Sequence, residues 1–403
     1  MKPTLGWTML SREEMRQVER SLANGEQDTR DEIGFLLIHQ GFADRFFPGT
    51  SVLHTRIRYA LFVPWLYQRA AFGRRRGSDL DTTIRQLLIE LAIRLKQLGG
   101  EPQDVIGGDK LGQLTSQPPD RVYWSAMRAW SLLLPVVESR SEALRRLQAA
   151  ARHSPLDDDG CPLDDEALEV FASLPSPPKH WEDAQKPLTF KMPRGEREYL
   201  RGKLSALARP SDGKLSLLAK LVEAGDVFHD TSLSLPSALD ARADEDDKLA
   251  LGVARDAAAL AAIGRAVYGA LVEELRTRDG EPDESTFRDQ LHTHFAEYGE
   301  AAARCDLEMA ERLLPEIPVH VTTVLSETQA YVRAEKPDDF AVLLESYQTA
   351  EVARKSSRRA RLVDTERAAQ RRADWEPHRH NTTPLHYRWR IVRDMLADLG
   401  DET

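Results

Sequence analysis

Three histidines and two carboxylates crowd one short stretch near the end of the sequence: Asp374, Glu376, His378, His380 and His386. Neutral imidazoles and carboxylates converging on one point would hold a metal ion, and a metal-bound water would supply hydrolytic, nuclease-like chemistry. His292 and His294 are only two apart. On a helix they point about 200° from each other and cannot chelate from one face. Arginine is the second chemical resource. Residues 50–78 hold six arginines (Arg56, Arg58, Arg69, Arg74, Arg75 and Arg76) and no acid, and residues 351–393 hold twelve Lys/Arg against five Asp/Glu. Tyr59, Trp65 and Tyr67 interleave with the first set, and Trp375, Tyr387 and Trp389 with the second. Arginine forks hold phosphates and base edges, while aromatic rings stack on unpaired bases. The candidate nucleic-acid contacts are therefore Arg56, Arg58, Arg74, Arg75, Arg76, Arg388, Arg390 and Arg393.

Each set also has an ordinary structural reading. Tyr59 and Trp65 on a helix with Leu61 and Val63 fit a core, and Arg358 to Arg372 fit the outer face of a long helix. A buried arginine needs a carboxylate, which Asp44 or Glu32 could supply. No Gly-x-Ser-x-Gly elbow, phosphate-binding Gly-rich loop, Gly-x-Gly-x-x-Gly or His-Glu-x-x-His occurs, so neither a catalytic residue nor a cofactor is read from the sequence. Gly107-Gly108-Asp109-Lys110 lacks the spacing of a phosphate loop. The acidic runs at Asp157 and Asp244 read as solvated linkers.

The elements that would position these groups are mostly helical. Ser11 and Glu14 make a capping box. A helix is expected over roughly Asp31 to Phe47, ended by Pro48-Gly49. A second, capped at Thr50 or Ser51, carries Val52 to Leu61, with Pro64 kinking or ending it. Ile84, Leu87, Leu88, Leu91, Leu95 and Leu98 recur at helical spacing. Asp120 can cap a helix with Tyr123, Met127, Trp130 and Leu134 on one stripe. Further helices are expected over Leu204–Val222, Lys248–Arg276, and near 285–313, 319–335 and 338–374. The best strand signals are Val319–Val324 and Leu188–Lys191. Two helix pairs have a helix-turn-helix outline, one of them placing Arg56 and Arg58 at the start of its second helix.

The fold class is mainly α: a multi-helical chain of two or three packed helical subdomains, with the helix-turn-helix outline in the N-terminal part. Its 403 residues exceed one ordinary core. The segments are 1–150, a helical domain; 151–240, a proline-rich connection with a small helical segment; and 241–403, a helical domain with a basic end. The composition, 41% hydrophobic and 30% charged, suits globular folding. The start has no apolar signal core and no apolar run is long enough for a membrane span, so no membrane partner is expected. Cys161 and Cys305 are too few for a disulfide framework and suit a cytoplasmic location.

Four stretches together resemble a bacterial family, domain of unknown function 6361. They are Leu5-Gly6-Trp7; Phe42 to Ser51 (FADRFFPGTS) running into Thr55-Arg56-x-Arg58-Tyr59 and Val63-Pro64-Trp65; Arg121-Val-Tyr-Trp124 followed by Trp130; and Leu385-x-Tyr387-Arg388-Trp389. Their spread suggests a resemblance over nearly the whole chain. Ser131 and Leu132 depart from the Gly-Ile the family often carries. The family implies no residue roles. It implies a setting beside helicases and other anti-phage defence components, and so a place near DNA. The first expectation is a non-catalytic DNA-binding or DNA-proximal component of a defence system. The alternatives are a scaffold for a helicase or nuclease subunit, and a metal-dependent nuclease built on the His378–His386 region. The formal net charge of −10 speaks against a simple nucleic-acid coat, but the two arginine-rich stretches are locally basic.

Overall fold

The computed structural model describes residues 31–73, 79–97, 103–151, 169–229 and 234–400. Its α-helices are, in chain order, α1 (Phe35–Phe46), α2 (Tyr59–Phe72), α3 (Leu80–Lys96), α4 (Pro119–Val122), α5 (Trp124–Ala129), α6 (Arg140–Ala150), α7 (Arg194–Leu204) and α8 (Leu217–Ala224). Then follow α9 (Glu245–Arg278), α10 (Thr286–Arg304), α11 (Leu307–Leu313), α12 (Val319–Arg333), α13 (Leu344–Lys355), α14 (Glu366–Ala373) and α15 (Trp389–Leu399). Among the described residues there is no strand, only the isolated bridges Leu133–Phe171 and Ala208–Leu215. The chain is mainly α, as its patterning predicts. Both strand expectations are corrected: Val319–Val324 opens α12, and Leu188–Lys191 is irregular. Among the described residues no helix is long and apolar enough to cross a membrane.

Packing groups the described residues into two units that each draw on distant parts of the sequence, unlike the three consecutive segments read along it. One unit takes residues 31–43 and 234–389; the other takes 44–229 and 390–400.

In the unit of residues 44–229 and 390–400, α2 is a central buried rod: Tyr59 through Tyr67 are all buried. Pro64 does not end it. It stands early in the helix, so only the Ala60 carbonyl loses its amide partner, a small loss beside a fully apolar burial. The helix also starts at Tyr59, later than expected, because residues 50–58 are turns. The Pro48-Gly49 turn is fixed by contact: Gly49 has φ +79, and a Cβ there would stand 2.6 Å from the Trp130 indole nitrogen. That indole donates to the Pro48 carbonyl at 3.1 Å. The helix-turn-helix outline is not realised. Buried all along Tyr59–Tyr67, α2 offers no face to a groove, and α4 and α5 are short turns with Asp120 buried between Tyr67 and Arg140 rather than capping.

In the unit of residues 31–43 and 234–389, the 34-residue α9 is the axis. Asp244 caps it, accepting from the Asp247 amide. Its alanine run from Ala257 to Ala262 is buried, small side chains letting neighbours approach closely. Gly269 is one such place, where a Cβ would lie 2.4 Å from the Phe287 ring. Glu273 of α9 is buried and accepts the Phe287 amide at 3.0 Å and the Arg288 amide at 3.4 Å, capping α10 in place of a side chain from its own N-terminus. The expected helix over 285–313 breaks at Cys305, and that over 338–374 breaks at Ser356, which has φ +70. Cys305 is buried and its thiol is pushed up to about 12 by burial, so it stays a neutral thiol. Cys161 lies outside the described residues.

Candidate nucleic-acid interface

The arginines of residues 50–73 are used internally. Arg58 is 3% exposed, forks onto both Glu196 oxygens at 2.7 Å, and also donates to the Thr189 and Lys191 carbonyls at 2.6 and 2.7 Å. Arg56 pairs with Asp398 and, at 2.9 Å, with Asp104. Arg69 bridges Glu90 and Glu182. Neither Asp44 nor Glu32 is the carboxylate that holds Arg56 or Arg58. Fork-to-fork pairing at these lengths is a geometry that fixes a fold. Arg74, Arg75 and Arg76 lie outside the described residues. Of the C-terminal candidates, Arg388 is 2% exposed at φ +62, Arg393 pairs with its neighbour Asp394 at 3.0 Å, and Arg390 is exposed. With Arg58 and Arg388 buried, the candidate arginines do not make one exposed face.

The histidine cluster does not converge. His380 donates to the Arg265 carbonyl at 2.8 Å, His386 stands edge-on to His39 at 4.7 Å, and His378 is exposed. Among the described residues no three His, Cys, Asp or Glu side chains gather as a metal site. His292 meets Asp338 and His294 meets the Thr382 carbonyl, so the two point apart. Burial pushes His380 down to about 4, with the neighbouring Arg265, Arg361 and Lys355 acting the same way, which keeps its ring neutral at pH 7.

A different set of arginines is left on the surface. Residues 354–372 carry eight Lys/Arg and two acids. Four of the eight are locked: Arg354 on Asp31 at 2.6 Å, Arg361 on Glu32 at 3.0 Å, Lys355 also on Glu32, and Arg372 on Asp279 at 2.6 Å. The other four, Arg358, Arg359, Arg367 and Arg371, have no carboxylate within ion-pair distance among the described residues. The first three are exposed and Arg371 is half-buried.

Local structure explains the division. After α13 ends at Ser356, the chain turns rather than continuing as helix, because buried side chains claim its backbone. Glu351, fully buried, accepts the amides of Arg361 and Leu362 at 2.9 Å each, and its other oxygen takes the Tyr268 hydroxyl at 2.7 Å. From the opposite side Arg372 donates to the carbonyls of Arg361 and, at 3.0 Å, Val363. Thr365 caps α14. Ala368 packs with Ala360 and Val363, and Arg372, one turn on, is buried too. Arg367 and Arg371 are also one turn apart and share the neighbouring stripe of α14. Arg371 donates to the Arg358 carbonyl at 3.2 Å, which ties the helix to the turn carrying Arg358 and Arg359. Burial pushes the Glu351 carboxyl up despite these donors.

Sequence reasoning counted these four arginines within the basic end but did not choose them. The signal available was their i,i+4 spacing in α14 and the adjacent Arg358-Arg359 pair; what was hidden was which of their neighbours have carboxylate partners.

A cleft of about 160 Å3 opens at the end of α14, lined by Glu32, Asp374, Trp375, Glu376, Arg379 and His380. Beside it, a water-sized cavity is lined in part by Arg265, Tyr268, Glu32 and His380. Arg265 is 6% exposed and donates to the Thr383 carbonyl at 3.0 Å. Burial lowers it to about 10.

No curated protein and no solved structure matches the chain. A family described as "Family of unknown function (DUF6361)" matches residues 3–279. The match takes in the first three signature stretches; Leu385–Trp389 lies beyond it. Because the match covers well over half of its residues, the chain belongs to the DUF6361 family.

Proposed function

We propose that this chain binds a nucleic-acid backbone through the face formed by Arg358, Arg359, Arg367 and Arg371. The observation that carries the reading is the four-and-four division. Carboxylates tie down half of the cations of residues 354–372, and the other half have no carboxylate partner among the described residues, though Arg359 and Arg371 each donate one N–H to a nearby carbonyl. Guanidinium forks match phosphate oxygens bidentately, and a rigid base under them lowers the ordering cost of binding. No reaction is assigned to this face. In the defence setting that the family resemblance implies, the bound strand is DNA handled together with a helicase or nuclease subunit.

The test is binding of a labelled oligonucleotide across a salt series. Four phosphate contacts give a fall of about 3 to 4 in log affinity per log salt, at roughly 0.9 per contact on a duplex. Replacing the four arginines by alanine abolishes binding while the protein stays folded. Folded wild-type protein that fails to bind at low salt overturns the reading.

A further inference from the structure

Of the cationic side chains, lysine carries the nitrogen that is readily acylated. Among the described residues its ion pairs divide by burial. Lys248 meets Glu245 and Lys336 meets Asp339 at the surface. Lys355 instead reaches into a buried cluster. Its amine lies against Glu32 Oε2 and stands 3.6 Å from Glu351 Oε1, and these two carboxyl side chains are 3% and 0% exposed. The two oxygens of Glu32 are used differently. Oε1 accepts the Arg361 guanidinium at 3.0 Å, whereas Oε2 is buried, takes no hydrogen bond and is left to the amine. Glu351 is held in place from outside the pair, by the Tyr268 hydroxyl and the Arg361 and Leu362 amides. An ammonium and a carboxylate taken out of water lose most of their hydration, and passing a proton between them leaves a neutral amine beside a neutral acid. The neutral amine is a nucleophile.

We infer that Lys355 and Glu32 join in an intramolecular amide bond, formed by the folded chain itself with Glu351 as the proton carrier. The bond from Lys355 Nζ to Glu32 Cδ forms, and the bond from Cδ to Oε2 breaks. Of the three ammonium protons, one stays on the amide nitrogen and two leave with Oε2 as water. Both charges vanish, and no oxidant, cofactor or further reactant is consumed. Arg361, donating to Oε1, holds the negative charge that gathers there as the amine adds. Glu351 takes a proton from Nζ and returns it to Oε2. Burial pushes its carboxyl up, which suits a group that must hold a proton and give it back. The fold supplies the encounter, and fixed placement of this kind acts as an effective concentration on the order of 10⁵–10⁸ M. Lys355 ends α13 and Glu32 stands just before α1, so the bond ties the entry of α1 to the turn that carries Arg358 and Arg359. A cross-link between residues so far apart in sequence restricts the unfolded chain and leaves the folded one as it is.

The test is the intact mass of the full chain, measured after denaturation. The wild-type protein is expected to be lighter than its sequence by one water, and a protease digest to yield one branched peptide joining Glu32 to Lys355. Lys355→Arg keeps the positive charge but has no amine to acylate, and Glu351→Gln keeps the size of the side chain but carries no proton. Both variants are expected at full sequence mass, with circular dichroism reporting that they are folded. The wild-type mass decides the bond by itself, whether or not a variant folds. Folded wild-type protein at its full sequence mass overturns the bond. A water loss that persists in Lys355→Arg also overturns it, because the dehydration then lies elsewhere. A branched peptide that still forms in Glu351→Gln overturns the part given to Glu351.

Discussion

Two basic stretches are put to opposite uses. In residues 50–73 the paired arginines sit among aromatic core: Arg58 forks onto Glu196 under Phe62, and Arg56 onto Asp398 beside Phe190. In residues 354–372 only half the cations are paired with carboxylates, and three of the rest are exposed. Local charge counts see a basic excess in both, three over residues 50–73 and six over residues 354–372. What separates them is the supply of carboxylates brought from far along the chain, Glu196 and Asp398 in one case, Asp31, Glu32 and Asp279 in the other. An arginine-rich stretch is therefore an interface candidate only after its long-range partners have been subtracted.

The largest effect that would test this contrast is at Arg58. Arg58→Ala leaves Glu196 buried without its partner and should cost about 3–5 kcal/mol, read as a fall in the denaturant midpoint. Arg358→Ala in the same assay should stay within about 0.5 kcal/mol. Equal losses would break the comparison.

Next in size is Glu351→Gln. It weakens the anchoring of the Arg361 and Leu362 amides and should cost about 1–3 kcal/mol. It should also weaken oligonucleotide binding, although residue 351 contacts no strand. Lost stability with unchanged binding would show that the turn holds its aim without the clamp.

A pH effect of similar or smaller size sharpens the picture of unit-specific electrostatics. Burial lifts Glu273 to about 7, above its ordinary value of 4.5. The folded state then holds a proton the unfolded chain gives up, so its contribution is full below pH 4.5 and is lost as pH rises through 7. Glu273→Gln should flatten that part of the stability–pH curve; an unchanged curve would mean that Glu273 ionises normally. The smallest effect belongs to the single arginines of the face, each of which should remove about 0.9 from the salt slope while leaving stability nearly untouched.

The helical class, α1, α3 and α9 were readable because their apolar spacing and caps are local. So was the Pro48-Gly49 turn, whose glycine conformation is written in residue type. The break at Ser356 was not. Residues 338–374 contain no glycine, and the only proline is Pro337 just before them, so propensity favours one continuous helix. Glu351, Tyr268 and Arg372 override it through contacts that exist only in the folded unit. The histidine cluster misled for the related reason that neighbours in sequence turn to different partners: His380 to the Arg265 carbonyl and His386 to His39. The arginine face itself was half visible, since its residues were counted but not told apart from their paired neighbours.

The pairing of Arg56 with Asp398 sets an order on synthesis. The arginine leaves the ribosome 342 residues before its carboxylate. At roughly 5–20 residues per second the wait is tens of seconds. Glu196, 138 residues after Arg58, is made well within that interval and can seat it, but until Asp398 appears the Arg56 guanidinium has only Asp104 to hold it. The Arg56–Asp398 pair can therefore close only once the last turns of α15 are made, and a nascent chain stalled short of Asp398 should be more open to proteolysis around residues 50–58 than the finished protein.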